Sequence, residues 1–69
     1  MGFYEQLTKN ISLLINSSSK NKSQIAREIG VQHSAVSVWL SGKAYPTLEN
    51  LVKLCQVLDC NYEDILGRL

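Results

Sequence analysis

The chain has 69 residues, enough for one small domain with a modest core. Apolar residues make up 45% of it and charged residues 19%, proportions typical of a globular domain rather than a disordered or fibrous chain. The apolar run at residues 13–15 is far too short to span a membrane, and no signal-peptide pattern follows Met1. We therefore expect a single cytoplasmic domain over residues 1–69, without a membrane partner.

The net charge is only +1, but the charges are unevenly distributed along the chain. Residues 20–43 carry four cationic side chains and one anionic side chain, whereas residues 47–64 carry one cationic and four anionic side chains. A basic segment beside an acidic one is typical of a domain that turns one side toward nucleic acid. The charge pattern therefore favours, but does not require, a nucleic-acid partner.

The sequence offers no catalytic or metal-binding set of residues. Cys55 and Cys60 lie five positions apart among apolar residues, and with a single histidine, His33, they cannot supply four zinc ligands. Neither a nucleophile with a neighbouring base nor a glycine-rich phosphate loop is present. We expect reduced, buried cysteines, no enzymatic activity, no metal or other cofactor, and no small-molecule ligand.

The first half of the chain predicts two amphipathic helices. Apolar residues recur at helical spacing over residues 3–16, and Asn21 with Gln24 has the form of a capping box at the start of a second helix over residues 22–29. Gly30 follows and suits a left-handed C-terminal cap, because it has no Cβ. The predicted buried stripes are Tyr4, Leu7, Ile11, Leu14 and Ile15 in the first helix and Ile25, Ala26 and Ile29 in the second.

A third helix is predicted over residues 33–40. Val36, Trp39 and Leu40 share one apolar face of it, which places the indole in the core. Pro46 cannot continue a helix, so a loop over residues 43–46 is expected after it.

Two further short helices complete the predicted fold. Thr47 and Asn61 are suitable N-caps for a fourth and a fifth helix. Their apolar stripes are Leu51, Leu54, Cys55 and Leu58 in the fourth helix and Tyr62, Ile65 and Leu66 in the fifth. Because no strand-period alternation of useful length occurs, the sequence predicts an all-α bundle of five short helices around one core.

The segment SQIAREIGVQHSAVSVWLSGK, residues 23–43, resembles the helix-turn-helix of the lambda-type repressor and Cro (XRE-like) family. Matching features are Ala26, Gly30, the branched Val36, and Ser-Gly-Lys at residues 41–43. The likeness continues through residues 45–51 and 61–66. It implies a lambda repressor-like fold whose second and third helices form the helix-turn-helix, with the third helix reading the DNA major groove.

Elementary packing accounts for the same spacing. Two helices that cross steeply through a short turn bring their backbones close together, so position 26 accepts only a small side chain such as that of Ala26. Gly30 provides the left-handed geometry of the turn, and Val31 can fill the space between the two helices. The hairpin then exposes the first turn and outer face of its second helix, which fit a groove about 12 Å wide.

Three features depart from the family pattern. Members often pair an Arg in the first helix with a Glu near the end of the recognition helix, but Ile15 and Leu40 occupy those positions here, which predicts an apolar contact instead. Lys20 lies where an apolar residue is common, which predicts a looser loop. Gln32 replaces the usual Ser or Thr and is a poorer N-cap for the third helix.

The resemblance implies two sets of DNA contacts. The positions expected to reach base edges are His33, Ser34, Ser37 and Val38. Imidazole and hydroxyl groups can hydrogen-bond base edges, and a valine can pack on a thymine methyl group. The positions expected to contact phosphates around the hairpin are Asn21, Lys22, Gln32, Ser41, Lys43 and Tyr45. The alternative for each is an ordinary solvated or capping residue.

These features predict a sequence-specific transcriptional regulator, Cro-like or repressor-like, bound to a double-stranded DNA operator. A weak homodimer is expected, because two copies can occupy half-sites about 34 Å apart. Its candidate surface is formed by Tyr62, Ile65, Leu66 and Leu69, although Ile65 and Leu66 could instead close the core. Two other interpretations stay open: a protein-interaction module of the adaptor or antitoxin type, and single-stranded nucleic-acid binding by stacking on Trp39 and Tyr45.

Overall fold

The computed structural model describes residues 2–67, and this part of the chain forms five helices and no strand. The helices are α1 (Phe3–Ser17), α2 (Lys22–Ile29), α3 (His33–Ser41), α4 (Leu48–Leu58) and α5 (Tyr62–Leu66). This confirms the all-α prediction and shifts two boundaries, since α1 and α3 each continue one residue further than expected. None of these helices combines the length and apolar character that a bilayer-spanning helix needs.

One hydrophobic core holds the helices together. It contains residues from every helix: α1 packs against α3, α4 packs against α2, and α5 packs against α1 and α4. Its fully buried members are Ile11, Ile25, Val36, Leu54 and Ile65. The predicted stripes are therefore confirmed with two exceptions: Tyr4 and Tyr62 are each 56% exposed rather than buried.

The helix ends follow the predicted capping chemistry. The Gln24 backbone N–H donates to Asn21 Oδ1 at 2.9 Å, and the Asn21 N–H donates back to Gln24 Oε1 at 3.1 Å, which completes the capping box. The Asn50 N–H donates to Thr47 Oγ1 at 3.3 Å. Gln32 makes no side-chain cap bond, as expected from its type. The caps at Asn21 and Thr47 satisfy amides that would otherwise lack a partner at the starts of α2 and α4.

The segment before α2 is tied down, so the predicted looser loop at Lys20 is wrong. The Lys20 ammonium lies 2.9 Å from Glu28 Oε1 in α2 and donates to the Val57 carbonyl of α4 at 3.2 Å. Lys20 thereby links the segment before α2 to both α2 and α4 through hydrogen bonds. Glu28 consequently pairs with Lys20 rather than with its neighbour Arg27.

The corner between α4 and α5 brings the two cysteines together. The Cys60 N–H donates to the Cys55 carbonyl at 3.0 Å, and Asp59 between them has a left-handed φ of 53°. Both thiols are free; Cys55 is buried, whereas Cys60 is only half-buried. Burial raises the pKa of both thiols, that of Cys60 to about 11, which keeps them protonated at neutral pH.

Candidate nucleic-acid interface

The hairpin of α2 and α3 turns sharply at Gly30. Its φ of 91° lies in the left-handed region, and the backbone N–H groups of Gly30 and Val31 both donate to the Ala26 carbonyl at 2.9 Å. Ala26 itself is buried, with 3% of its surface exposed. A small residue in α2 and a glycine after it therefore set the geometry of the pair, as the sequence predicts.

The two sides of α3 differ completely in their surroundings. Val36 and Trp39 point into the core, with exposed fractions of 0% and 5%. The side chains predicted to contact bases lie elsewhere on the helix: His33 and Ser34 are exposed, and Ser37 and Val38 are half-buried. The outward side of α3 is therefore available to a partner, while the indole is not. This excludes the interpretation that Trp39 stacks on single-stranded nucleic acid in this fold.

A shallow open groove runs along one edge of α3. Ser34 and Val38 line it one helical turn apart, and Gln32 lies beside them just before the helix. Ala44 closes the groove from the loop that follows α3. The structure thus brings together two of the predicted base-contact residues and one predicted phosphate-contact residue.

The lysines of the hairpin and of the neighbouring segments differ in whether a carboxylate pairs with them. Lys22, the first residue of α2, and Lys43, which follows the C-cap of α3, are exposed and form no ion pair with any residue between 2 and 67. Lys20 and Lys53, in contrast, pair with Glu28 and Glu49 at 2.9 and 3.7 Å. Lys22 and Lys43 are therefore the lysines of the hairpin whose charge is not offset by a neighbouring carboxylate.

The neutral residues predicted to contact phosphates are used differently within the fold. Asn21 caps α2 through its carbonyl oxygen, so its amide NH₂ group keeps both protons available for another acceptor. The Ser41 hydroxyl donates to the Val38 carbonyl at 2.8 Å, which occupies its one proton. Gln32 is exposed just before α3. Within the described part of the chain, Asn21 and Gln32 thus have side-chain N–H groups free to donate to a phosphate, whereas the Ser41 hydroxyl already donates within the fold.

Tyr45 stands in the loop between α3 and α4, and its ring packs against Tyr4 of α1. The ring centroids are 4.6 Å apart and the planes are inclined by 32°. Sequence reasoning assigned Tyr4 to the core stripe and therefore missed this contact. The only signal for it was the position of Tyr4 at the very start of the first helix, where a stripe residue has the fewest neighbours.

The predicted self-association surface is smaller than expected. Ile65 is 1% exposed and closes the core, so it cannot contact a second copy. Tyr62 is 56% exposed and Leu66 is half-buried, while Leu69 lies outside the described residues. Sequence reasoning missed Leu13, which is 61% exposed and lies one turn after Asn10, the residue that bonds to α5.

Comparisons with known proteins agree with this geometry. The family model described as helix-turn-helix matches residues 14–65. A curated relative, the cryptic phage CTXphi transcriptional repressor RstR of Vibrio cholerae serotype O1 (strain ATCC 39315 / El Tor Inaba N16961), is 36% identical over 50 residues. The matched region covers 72% of this chain but 45% of the relative, so the chain spans less than half of that protein's length. No solved structure matches.

Proposed function

The chain belongs to the helix-turn-helix family, and on that premise we propose that it binds double-stranded DNA sequence-specifically and regulates transcription. The observation that carries the proposal is the two-sided character of α3. Its apolar side is sealed in the core through Val36 and Trp39, and its polar first turn is exposed at His33 and Ser34. A short helix anchored on one side and polar on the other fits the DNA major groove.

We propose that base reading is concentrated at the start of α3. The His33 imidazole can donate to or accept from a purine edge, and the Ser34 hydroxyl can do either. Val38 lies one turn further along the same groove as Ser34, where an apolar side chain can contact a thymine methyl group. Ser37, which precedes Val38 in the chain and is half-buried, completes the proposed base-contact set.

Phosphate contacts would fix the hairpin on the duplex. Lys22 adds a positive charge at the N-terminus of α2, where backbone amides and the helix dipole already favour an anion. Lys43 supplies a second charge just beyond the opposite end of α3. We propose that these two lysines flank the groove, with Asn21, Gln32, Ser41 and Tyr45 as neutral contacts.

The proposed regulatory role is repression of transcription, and the name of the curated relative supports it. That protein is described as a transcriptional repressor, and a domain seated in the major groove of an operator would hinder other proteins at the same site. We propose repression by occupancy, with the protein acting at DNA in the cytoplasm. Recognition of this kind requires binding alone, so the proposal assigns no enzymatic activity to the chain.

We further propose that two copies bind together. One copy presents a single short recognition helix, which can read only a few base pairs, whereas two copies related by a two-fold axis read half-sites about 34 Å apart. We propose that the contact uses apolar side chains of α1 and α5: Leu13 and Tyr62 are exposed, and Leu66 is half-buried.

Selection of bound sites from a random duplex pool tests the proposal directly. We expect enrichment of a short motif, repeated with two-fold symmetry at a spacing of about one helical turn. Recovery of no enriched sequence, together with no salt-dependent binding at micromolar protein, would contradict it and favour a protein-docking role.

The selected site then allows base reading to be separated from non-specific attraction. His33→Ala should weaken binding to the selected site by about 1 to 3 kcal/mol and leave binding to random duplex almost unchanged. Gln56→Ala is the control, because Gln56 is exposed on α4 and lies outside the proposed interface. An equal loss on both DNAs for His33→Ala would contradict the base-reading role.

A further inference from the structure

Three aromatic side chains form an exposed cluster where the start of α1 meets the loop after α3. Phe3 packs its edge against Tyr4, with centroids 5.3 Å apart and planes at 82°, and Tyr4 packs against Tyr45 at 4.6 Å. Their exposed fractions are 47%, 56% and 42%. None of the three rings belongs to the hydrophobic core, to which α1 contributes Leu7, Ile11 and Ile15. Core packing therefore does not explain why these rings lie together at the surface.

The Tyr45 side chain is exposed in the loop, and Tyr4 is the aromatic ring that packs against it. Residues 45–47 belong to no helix, and the buried side chain in this segment is that of Pro46. Tyr4, in contrast, belongs to a 15-residue helix that is anchored in the core by Leu7 and Ile11. The ring of Tyr4 therefore provides a surface on an anchored helix against which the exposed Tyr45 ring packs.

We propose that Tyr4 is a positioning residue for DNA binding, which holds the Tyr45 ring so that its hydroxyl meets a phosphate. The inference rests on the proposed function and adds to it a residue outside the helix-turn-helix. Tyr45 follows Lys43 by two positions, at the edge where the duplex backbone would pass the end of α3. A ring already held in place loses less conformational freedom when its hydroxyl binds, which favours the complex.

The expected effect is modest and measurable. Immobilising one side chain at an interface accounts for about a 2- to 12-fold change in affinity. Tyr4→Ala should therefore weaken binding to the selected operator by about 3- to 10-fold. Tyr4→Phe keeps the ring and should bind as the unaltered protein does, which distinguishes stacking from a contact made by the Tyr4 hydroxyl itself.

A double-mutant cycle with Tyr45 tests whether Tyr4 affects DNA affinity through the Tyr45 hydroxyl. Tyr45→Phe removes the hydroxyl that Tyr4 is proposed to position, so Tyr4→Ala should cost little further affinity in that background. Thermal unfolding of each variant without DNA gives the structural readout. Because Tyr4 and Tyr45 are both exposed, we expect all variants to remain folded, and affinity to change without a matching change in melting temperature.

Several results would overturn the inference. Unaltered operator affinity in Tyr4→Ala would do so, as would a loss in Tyr4→Phe as large as that in Tyr4→Ala. Fully additive losses in the Tyr4→Ala/Tyr45→Phe double variant would also refute it, because the two residues would then act independently. In each case the unaltered protein still binds the operator. If the unaltered protein fails to bind duplex DNA, the proposed function itself is wrong.

Discussion

The two lysines of the α2–α3 hairpin that form no ion pair within residues 2–67 should account for a measurable part of the salt dependence of DNA binding. Lys22 and Lys43 are exposed at opposite ends of the hairpin. Each lysine that neutralises a phosphate releases counterions from DNA, so the slope of log K against log salt contains about 0.9 per contact. Replacing either lysine by alanine should lower that slope by about 0.9, and replacing both by about 1.8.

These slopes translate into ratios that are easily measured. Over a fourfold rise in salt, from about 50 to 200 mM, the unaltered protein should lose about 3.5-fold more affinity than either single variant. It should lose about 12-fold more affinity than the double variant over the same range. The loss should be the same on the selected operator and on random duplex, since phosphates carry no sequence information.

Lys53→Ala is the matched control, because it removes the same charge. Lys53 lies on α4 and pairs with Glu49 at 3.7 Å, so its charge is partly offset where it stands. Fluorescence anisotropy titrations at four or more salt concentrations give the slopes. If Lys53→Ala lowers the slope as much as Lys22→Ala or Lys43→Ala, net charge alone explains the effect and the proposed contacts are wrong.

Two further predictions concern a cap and a thiol. Asn21→Asp should keep the α2 cap, since Asp caps as well as Asn, and yet weaken DNA binding by placing a negative charge beside a phosphate. Thermal unfolding measures the effect on stability, and anisotropy measures the effect on DNA binding. A DNA affinity equal to that of the unaltered protein would exclude a phosphate contact at Asn21. For Cys60, only the thiolate reacts with iodoacetamide, and a rise in pKa from 9.0 to about 11 lowers the thiolate fraction at pH 8 by about 100-fold. Because a thiolate of higher pKa is also the stronger nucleophile, alkylation should be about 10-fold slower than in the denatured chain. Because the folded pKa lies above the unfolded one, the stability linked to this thiol is complete below pH 9 and is lost as the pH rises through about 11. A Cys60 alkylation rate that levels off near pH 9 in the folded protein would contradict this.

Most of the fold follows from local signals that act over a few residues. The capping box at Asn21, the glycine at Gly30 and the proline at Pro46 each end or begin an element for a local steric or hydrogen-bonding reason. The helical phase of Val36 and Trp39 then settles which side of α3 is buried. The extra residue of α3 has a local cause as well, since the left-handed residue that ends the helix is Gly42 rather than Ser41.

What escaped prediction depends on contacts between distant parts of the chain. Lys20 binds the carbonyl of Val57, which lies 37 positions later, and no local pattern encodes that bond. Tyr4 obeys the spacing of the α1 stripe, yet its ring leaves the core and meets Tyr45. In both cases a side chain of mixed character, apolar along its length and polar at its tip, could satisfy either a buried or an exposed position.

α1 joins the proposed DNA-binding surface and the proposed dimer surface within one rigid element. A Cβ at Gly42, the C-cap of α3, would lie 3.5 Å from the Thr8 side chain, and the Asn10 amide donates to the Ile65 carbonyl of α5 at 2.9 Å. Thr8 and Asn10 are two positions apart, so the same turn of α1 lies beside the end of the recognition helix and is hydrogen-bonded to α5. In a two-fold dimer formed through α1 and α5, the distance between recognition helices would then be set by helix packing rather than by a linker. Half-site spacing on DNA would accordingly tolerate little variation.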